Sequence, residues 1–157
     1  MIPETQGDKF VLQERKKVLV VDDNEDALML EKILFEEGGF EVLEAKNASS
    51  GIAIARKEKP NVIIMDMRLP DMCGIEAAKI LRQDKETCHI PILFVTGSVM
   101  PGEIRDLELA AINNSALISK PINTLTFAKD VSDFMNVEHM LDLTAKRAII
   151  ERLKVRS

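Results

Sequence analysis

Two short runs constrain this chain more than anything else in it. Residues 17–21 (KVLVV) and 61–66 (NVIIMD) are apolar and β-branched almost throughout, and each ends in aspartate: Asp22 and Asp23 after the first, Asp66 closing the second. A strand that is apolar at every position has no face to give to water. It must lie inside a sheet covered on both sides, which is the situation of a parallel strand flanked by helices.

The rest of the chain supplies those helices. From Asp26, the residues Ala27, Leu30, Ile33 and Leu34 recur at helical spacing, and Gly38 and Gly39 provide a left-handed stop. FEVLEA from Phe40 reads as a second strand, and residues 48–57 as a helix with Ile52 and Ala55 on one face, closed by Pro60. After Asp66, a turn with Pro70, Asp71 and Gly74 leads to a helix carrying Ile75, Ala78 and Leu81, then to the strand PILFVTG from Pro91. A helix from near Pro101 with Ile104, Leu107 and Ala111, a strand around Leu117 and a helix over 123–135 complete the alternation. Five βα units in succession predict right-handed crossovers and a parallel sheet with helices on both faces.

Length and charge exclude several classes of function. The 157 residues hold one domain with an appendage, and 46% hydrophobic content supports a core. Lys plus Arg number 21 against 26 Asp plus Glu, a net charge of -5, which gives no general attraction to nucleic acid or to an anionic membrane. No run approaches the roughly 20 apolar residues of a membrane span, and the polar first ten residues do not form a signal peptide, so a cytoplasmic protein is expected. Cys73 and Cys88 are too far apart for a metal knuckle and are expected to be reduced thiols. His89 and His139 are isolated and are candidates for neither ligand nor base.

Parallel strands share a direction, so their carboxyl ends meet at one edge, where open α/β sheets bind ligands. At that edge the sequence places Asp22, Asp23, Asp66, Thr96 and Lys120. Two carboxylates about 4 Å apart repel by about 4 kcal/mol at an effective dielectric near 20, so a positive charge belongs among them. Mg²⁺ suits one or two carboxylates and keeps waters and phosphate oxygens as its other ligands. Lys120 offers a point charge and Thr96 a hydroxyl for a phosphoryl oxygen.

The run KVLVVDDNED, the stretch NVIIMDMRLPDMCG, the strand end PILFVTGS and the tripeptide SKP together resemble the receiver domain of bacterial-type response regulators, over roughly residues 16–135. The resemblance implies a flavodoxin-like (βα)5 doubly wound parallel sheet in the order 2-1-3-4-5. It makes Asp66 the phosphoacceptor, charged in a Mg²⁺-dependent reaction by the phosphohistidine of a sensor histidine kinase or histidine phosphotransfer protein. Asp23 and Asp66 would hold the metal through side chains and Arg68 through its backbone carbonyl, with Asp22 on a metal-bound water. Thr96 would act as the switch hydroxyl and Lys120 as the phosphoryl partner, with a cis Lys120–Pro121 bond. The expected role is a phosphorylation-controlled module that switches a downstream protein partner, without contacting nucleic acid or inserting in a membrane. It is not a turnover enzyme.

Departures from the family pattern sharpen the alternatives. Leu117 stands where most receivers carry Tyr or Phe, which leaves a receiver-fold adaptor that binds without phosphate as the second reading. A haloacid-dehalogenase-type phosphotransferase would need a second Asp where Arg68 stands. A flavin binder would need a phosphate-holding loop where DDNED repels phosphate. Residues 1–15 read as an extension, 16–135 as the receiver and 136–157 as an extra helix, on which Val137, Leu141, Ala145, Ile149 and Leu153 recur. That helix is expected to pack on its own domain or a partner, with homodimerisation as the second reading.

Overall fold

The computed structural model describes residues 15–97 and 115–136. Five strands, β1 (Lys17–Val21), β2 (Glu41–Ala45), β3 (Val62–Met65), β4 (Ile92–Thr96) and β5 (Ser115–Ser119), form one sheet in the order β2-β1-β3-β4-β5, and every pairing is parallel. Four helices are described: α1 (Glu25–Glu37), α2 (Ala48–Glu58), α3 (Gly74–Gln83) and α4 (Phe127–Met135). This is the doubly wound arrangement the apolar strands demanded. The expected helix near 101–111, the helix beyond Met135 and nearly all of the 1–15 extension lie outside the described residues. None of the described helices is long and apolar enough to cross a membrane.

Each face of the sheet has its own core. On one side Leu19, Val21, Ile63, Met65 and Phe94 pack against Ile52 and Ala55 of α2 and Ala78 and Leu81 of α3. On the other, Val18, Val20, Ile64 and Leu93 pack against Leu28 and Phe35 of α1 and Phe127, Val131 and Phe134 of α4. Alternate residues of β1 and β3 therefore feed opposite cores, which is why no polar position interrupts either run.

The structure corrects the expected face of α1. Leu30 and Ile33 are 42% and 49% exposed, Ala27 and Leu34 are half-buried, and the buried stripe is Leu28, Glu31 and Phe35. Phe35 decides the rotation: its ring lies edge-on to Phe40 at 5.5 Å and tilted against Phe127 at 5.3 Å. Burying an aromatic side chain among two others outweighs burying two aliphatic ones, and the helix turns accordingly. The helix stops as expected, since Gly39 takes the left-handed conformation (φ 89°) after the Gly38 cap.

The last described helix starts later than the 123–135 expected. The Asn123 carbonyl accepts from the N–H groups of Thr126 (3.2 Å) and Phe127 (2.9 Å), and its side chain accepts from Leu125 N–H (3.1 Å). Residues 123–126 are thus a turn whose own hydrogen bonds compete with the helical pattern.

The start of α3 fixes the loop that follows β3. Gly74 N–H donates to the Met67 carbonyl (2.8 Å), and Arg68 and Cys73 form an isolated antiparallel bridge. A Cβ on Gly74 would fall inside contact distance of the Asp66 carbonyl oxygen and 3.1 Å from the Met67 Cα. Gly74→Ala is expected to destabilise the fold by about 1–3 kcal/mol, because backbone rather than a yielding side chain must move. Chemical denaturation of the two proteins measures it.

Candidate functional site

Strand register builds the site. Val21 is paired with Met65, so Asp22 and Asp66 follow from adjacent strand ends at the same height. Asp66 N–H donates to the Val21 carbonyl (2.9 Å) and Asp22 N–H to the Ala45 carbonyl (3.0 Å), which carries both residues one position beyond the ladder with their backbones held. Thr96 and Ser119 are paired at the ends of β4 and β5, and Lys120 follows directly. The Lys120–Pro121 bond is cis, as expected.

The carboxylates of Asp22, Asp23 and Asp66 each offer an oxygen, and these oxygens lie within 4.8 Å of one another. Asp22 is 3% exposed, Asp66 half-buried and Asp23 exposed, so the cluster opens to solvent on the Asp23 side. At such distances each pair repels by roughly 3–4 kcal/mol at an effective dielectric near 20. Lys120 answers part of this: its Nζ lies 2.8 Å from Asp22 Oδ2 and 3.9 Å from Asp66 Oδ2. One ammonium for three carboxylates leaves an excess of negative charge on hard oxygen donors with an open side. That donor set fits a small divalent cation.

The surrounding bonds hold the acids in place. Asp22 Oδ1 accepts from Asn24 N–H (2.9 Å), while Asn24 Oδ1 accepts from Ala27 N–H (3.0 Å) and caps α1. Asp66 Oδ1 accepts from Arg68 N–H (3.1 Å). Burial pushes the Asp66 carboxyl above the ordinary aspartate value; the Arg68 N–H draws it back, and the Asp22 charge adds to the rise. For Lys120, burial works to lower the ammonium's value, but the hydrogen bond it donates to Asp22 and the charges of Asp22, Asp66 and Glu31 carry it above that of an ordinary lysine.

Of the residues singled out in the sequence, Asp22, Asp23, Asp66 and Lys120 come together. The backbone of Thr96 closes β4 at the same edge, and its side chain lies outside the described set. Arg68 is exposed, two residues past Asp66. Leu117 is buried in the core shared with Met65 and Phe94. Cys73 and Cys88 are free thiols. Sequence reasoning read Asp71 only as a turn residue. It is a clamp: Oδ1 accepts from Ala48 N–H (2.8 Å), and Oδ2 from Ser49 N–H (2.9 Å) and Ser49 Oγ (2.8 Å). These bonds pin the loop after β3 to the start of α2 and hold the Asp71 carboxyl down to about 2.

Comparison with known proteins bears on this geometry. Residues 18–132 match the family model of the response regulator receiver domain. The chain is 33% identical over 120 residues to the polar-differentiation response regulator DivK of Brucella anthropi, which spans 76% of this chain and 96% of that protein. It is similar in structure to the chemotaxis response regulator CheY4 of Vibrio cholerae, with a TM-score of 0.70 and 28% identity, covering 77% of this chain and 99% of that one. The receiver domain of the Pseudomonas aeruginosa sensor histidine kinase PA1611, solved with a magnesium ion in its active site cleft, shares the fold at a TM-score of 0.69 and 20% identity, over 78% of this chain and 99% of that one.

One further carboxyl was not read from the sequence. Glu31 projects from the buried stripe of α1, is 3% exposed, and its Oε2 has no hydrogen-bond partner among the described residues. Burial, with help from the charges of Asp22 and Asp66 and against that of Lys120, pushes its carboxyl up to about 8. The folded chain therefore keeps a proton on Glu31 that the unfolded chain releases near pH 4.5. Stability from this group is full below that value and falls as pH rises, until the folded carboxyl ionises near pH 8, at about 1.4 kcal/mol per unit of separation. Glu31→Leu is expected to raise the thermal midpoint, and by more at pH 8 than at pH 5; calorimetry at the two pH values checks the sign.

Proposed function

Since the chain belongs to the response regulator receiver family, we propose that it accepts a phosphoryl group onto Asp66 from the phosphohistidine of a sensor histidine kinase or histidine phosphotransfer protein and, so charged, changes its binding to a downstream protein. The observation that carries this reading is the convergence of three carboxylate oxygens within 4.8 Å, with the Lys120 ammonium 3.9 Å from Asp66. In the transfer, an Asp66 oxygen forms the new P–O bond. The P–N bond of the donor breaks, and its electron pair returns to the imidazole nitrogen. Lys120 meets the charge on the transferring group, as would the Thr96 hydroxyl at the end of β4.

Asp22, Asp23 and Asp66, with the Arg68 carbonyl, are the groups that would hold Mg²⁺, which when bound neutralises charge on the phosphoryl oxygens. A receiver is a signalling protein, and this chemistry serves signalling rather than turnover. The outer face of α1 supports a protein donor. Met29, Leu30 and Ile33 are exposed there on the helix that starts beside Asp23, and apolar surface next to a charged site suits docking. The reading carries with it a cytoplasmic location.

Intact-mass spectrometry after incubation with acetyl phosphate and Mg²⁺ is expected to show one added phosphoryl group. The adduct should be absent in Asp66→Asn and when the metal is chelated. An adduct undiminished by Asp66→Asn sinks the assignment. Arg68, exposed two residues past the acceptor, stands where its charge would act on the acyl phosphate or on the water that attacks it. Arg68→Ala is expected to change the dephosphorylation half-life several-fold, followed as loss of the adduct with time; an unchanged half-life refutes that role.

A further inference from the structure

The start of α2 is already capped from within its own sequence: Asn47 Oδ1 accepts from Ser50 N–H (2.8 Å). Ala48 and Ser49 carry the other free N–H groups of that first turn, and Asp71 takes both, together with the Ser49 hydroxyl. Ser49 and Asp71 are exposed, and a helix end at the surface can leave such groups to water. What the three bonds add is therefore less a cap than a tie between two loops.

Each loop carries half of the acidic cluster. On one side, the start of α2 is seated on the end of β1: a Cβ on Gly51 would fall 2.8 Å from Val21 Cγ2, and Asp22 is the next residue after Val21. Lys46 Nζ, in the turn before α2, also lies 2.7 Å from Glu25 Oε1, at the start of α1 just beyond Asp23. The first turn of α2 is thus fixed to the loop of Asp22 and Asp23. On the other side, the loop after Asp66 is closed at its neck by the bond from Gly74 N–H to the Met67 carbonyl (2.8 Å) and by the Arg68–Cys73 bridge. Asp71 stands between the bridged residues, so its bonds join the Asp66–Arg68 loop to the frame that holds Asp22 and Asp23.

We infer that Asp71 is a positioning residue for the metal site, holding the loop that carries Arg68 in place against the loop that carries Asp22 and Asp23. The inference rests on the reading of Asp22, Asp23, Asp66 and the Arg68 carbonyl as the groups that hold Mg²⁺. This cation demands near-ideal octahedral geometry, so donors from two separate loops serve it only if the loops keep a fixed spacing. With the clamp made, that spacing is set during folding. Without it, the loop after β3 must be ordered at the moment of binding, and the conformational entropy lost then is subtracted from affinity.

Titration with Mg²⁺, followed by NMR through the amide resonances, gives the dissociation constant with no phosphodonor present and shows in the same spectra that each variant is folded. Ser49→Ala removes one bond of the clamp. Asp71→Asn, with one acceptor oxygen in place of two, keeps the bond from Ala48 and loses those from Ser49, and Asp71→Ala removes all three. The dissociation constant is expected to rise in that order, reaching about tenfold for Asp71→Ala. A merely structural role lowers thermal midpoints in the same order and leaves the dissociation constant where it was, which overturns the inference; should Asp71→Ala not fold, Ser49→Ala and Asp71→Asn decide it alone. Asn61→Ala removes the bond to Lys17 N–H (2.7 Å) at the opposite edge of the sheet and is expected to lower the midpoint without changing the affinity. An equal loss of affinity there also overturns the inference. A wild type whose resonances do not respond to Mg²⁺, or respond equally in Asp23→Ala, removes the metal-site reading and this inference with it.

Discussion

The register between β1 and β3 governs everything at the site. Because Val21 stands opposite Met65 in a parallel ladder, the next residue on each strand is an aspartate, and two acids arrive side by side at a sheet edge. Neither carboxylate could tolerate the other in a dry interior. At the edge, Asp66 and Asp23 reach solvent, and Lys120 arrives from β5 to meet the most buried of the three. The apolar strands and the acidic ends are one design: the first enforces the register that the second requires.

Much of this was legible because it depends on periods and ends. Residues 18–21 and 62–65 are apolar at every position, and a strand of that kind can be placed only in a covered parallel sheet. The acids follow the strands directly, so their convergence needed only the topology, which the resemblance supplied. What was not legible depends on competition between neighbours. Leu30 and Ile33 have the right spacing for a buried face, yet Phe35 wins because Phe40 and Phe127, distant in sequence, make a ring cluster for it. Local spacing cannot reveal which of two helix faces has the better partner.

Asp71 and Glu31 were missed for related reasons. Asp71 caps a helix whose start lies 23 residues earlier, and capping across the fold leaves no local signature of the kind Asn24 and Asn47 give at their own helices. Glu31 looks like one more solvated charge in an acidic helix until the rotation of α1 is known. Once Leu28 and Phe35 define the inner face, residue 31 must join them, being three residues from one and four from the other. A carboxyl misplaced by the apolar pattern is thus the direct consequence of the aromatic cluster that fixed the helix.

The position of Lys120 sets the energy scale for any change of state. Its Nζ need travel little to favour Asp66 over Asp22, since the two contacts are 3.9 and 2.8 Å. The cost lies in what is left behind. Asp22 is 3% exposed, and stripping a buried carboxylate of its partner costs about 3–5 kcal/mol. A hydrogen bond to a charged group returns about 1.5–3 kcal/mol, so one such bond on a phosphoryl oxygen falls short and two roughly balance the loss. Two opposing effects of similar size are the condition for a switch: a site with no such cost would have nothing to hold it off, and one with a deeper Asp22–Lys120 pair could not be turned on by a single phosphoryl group.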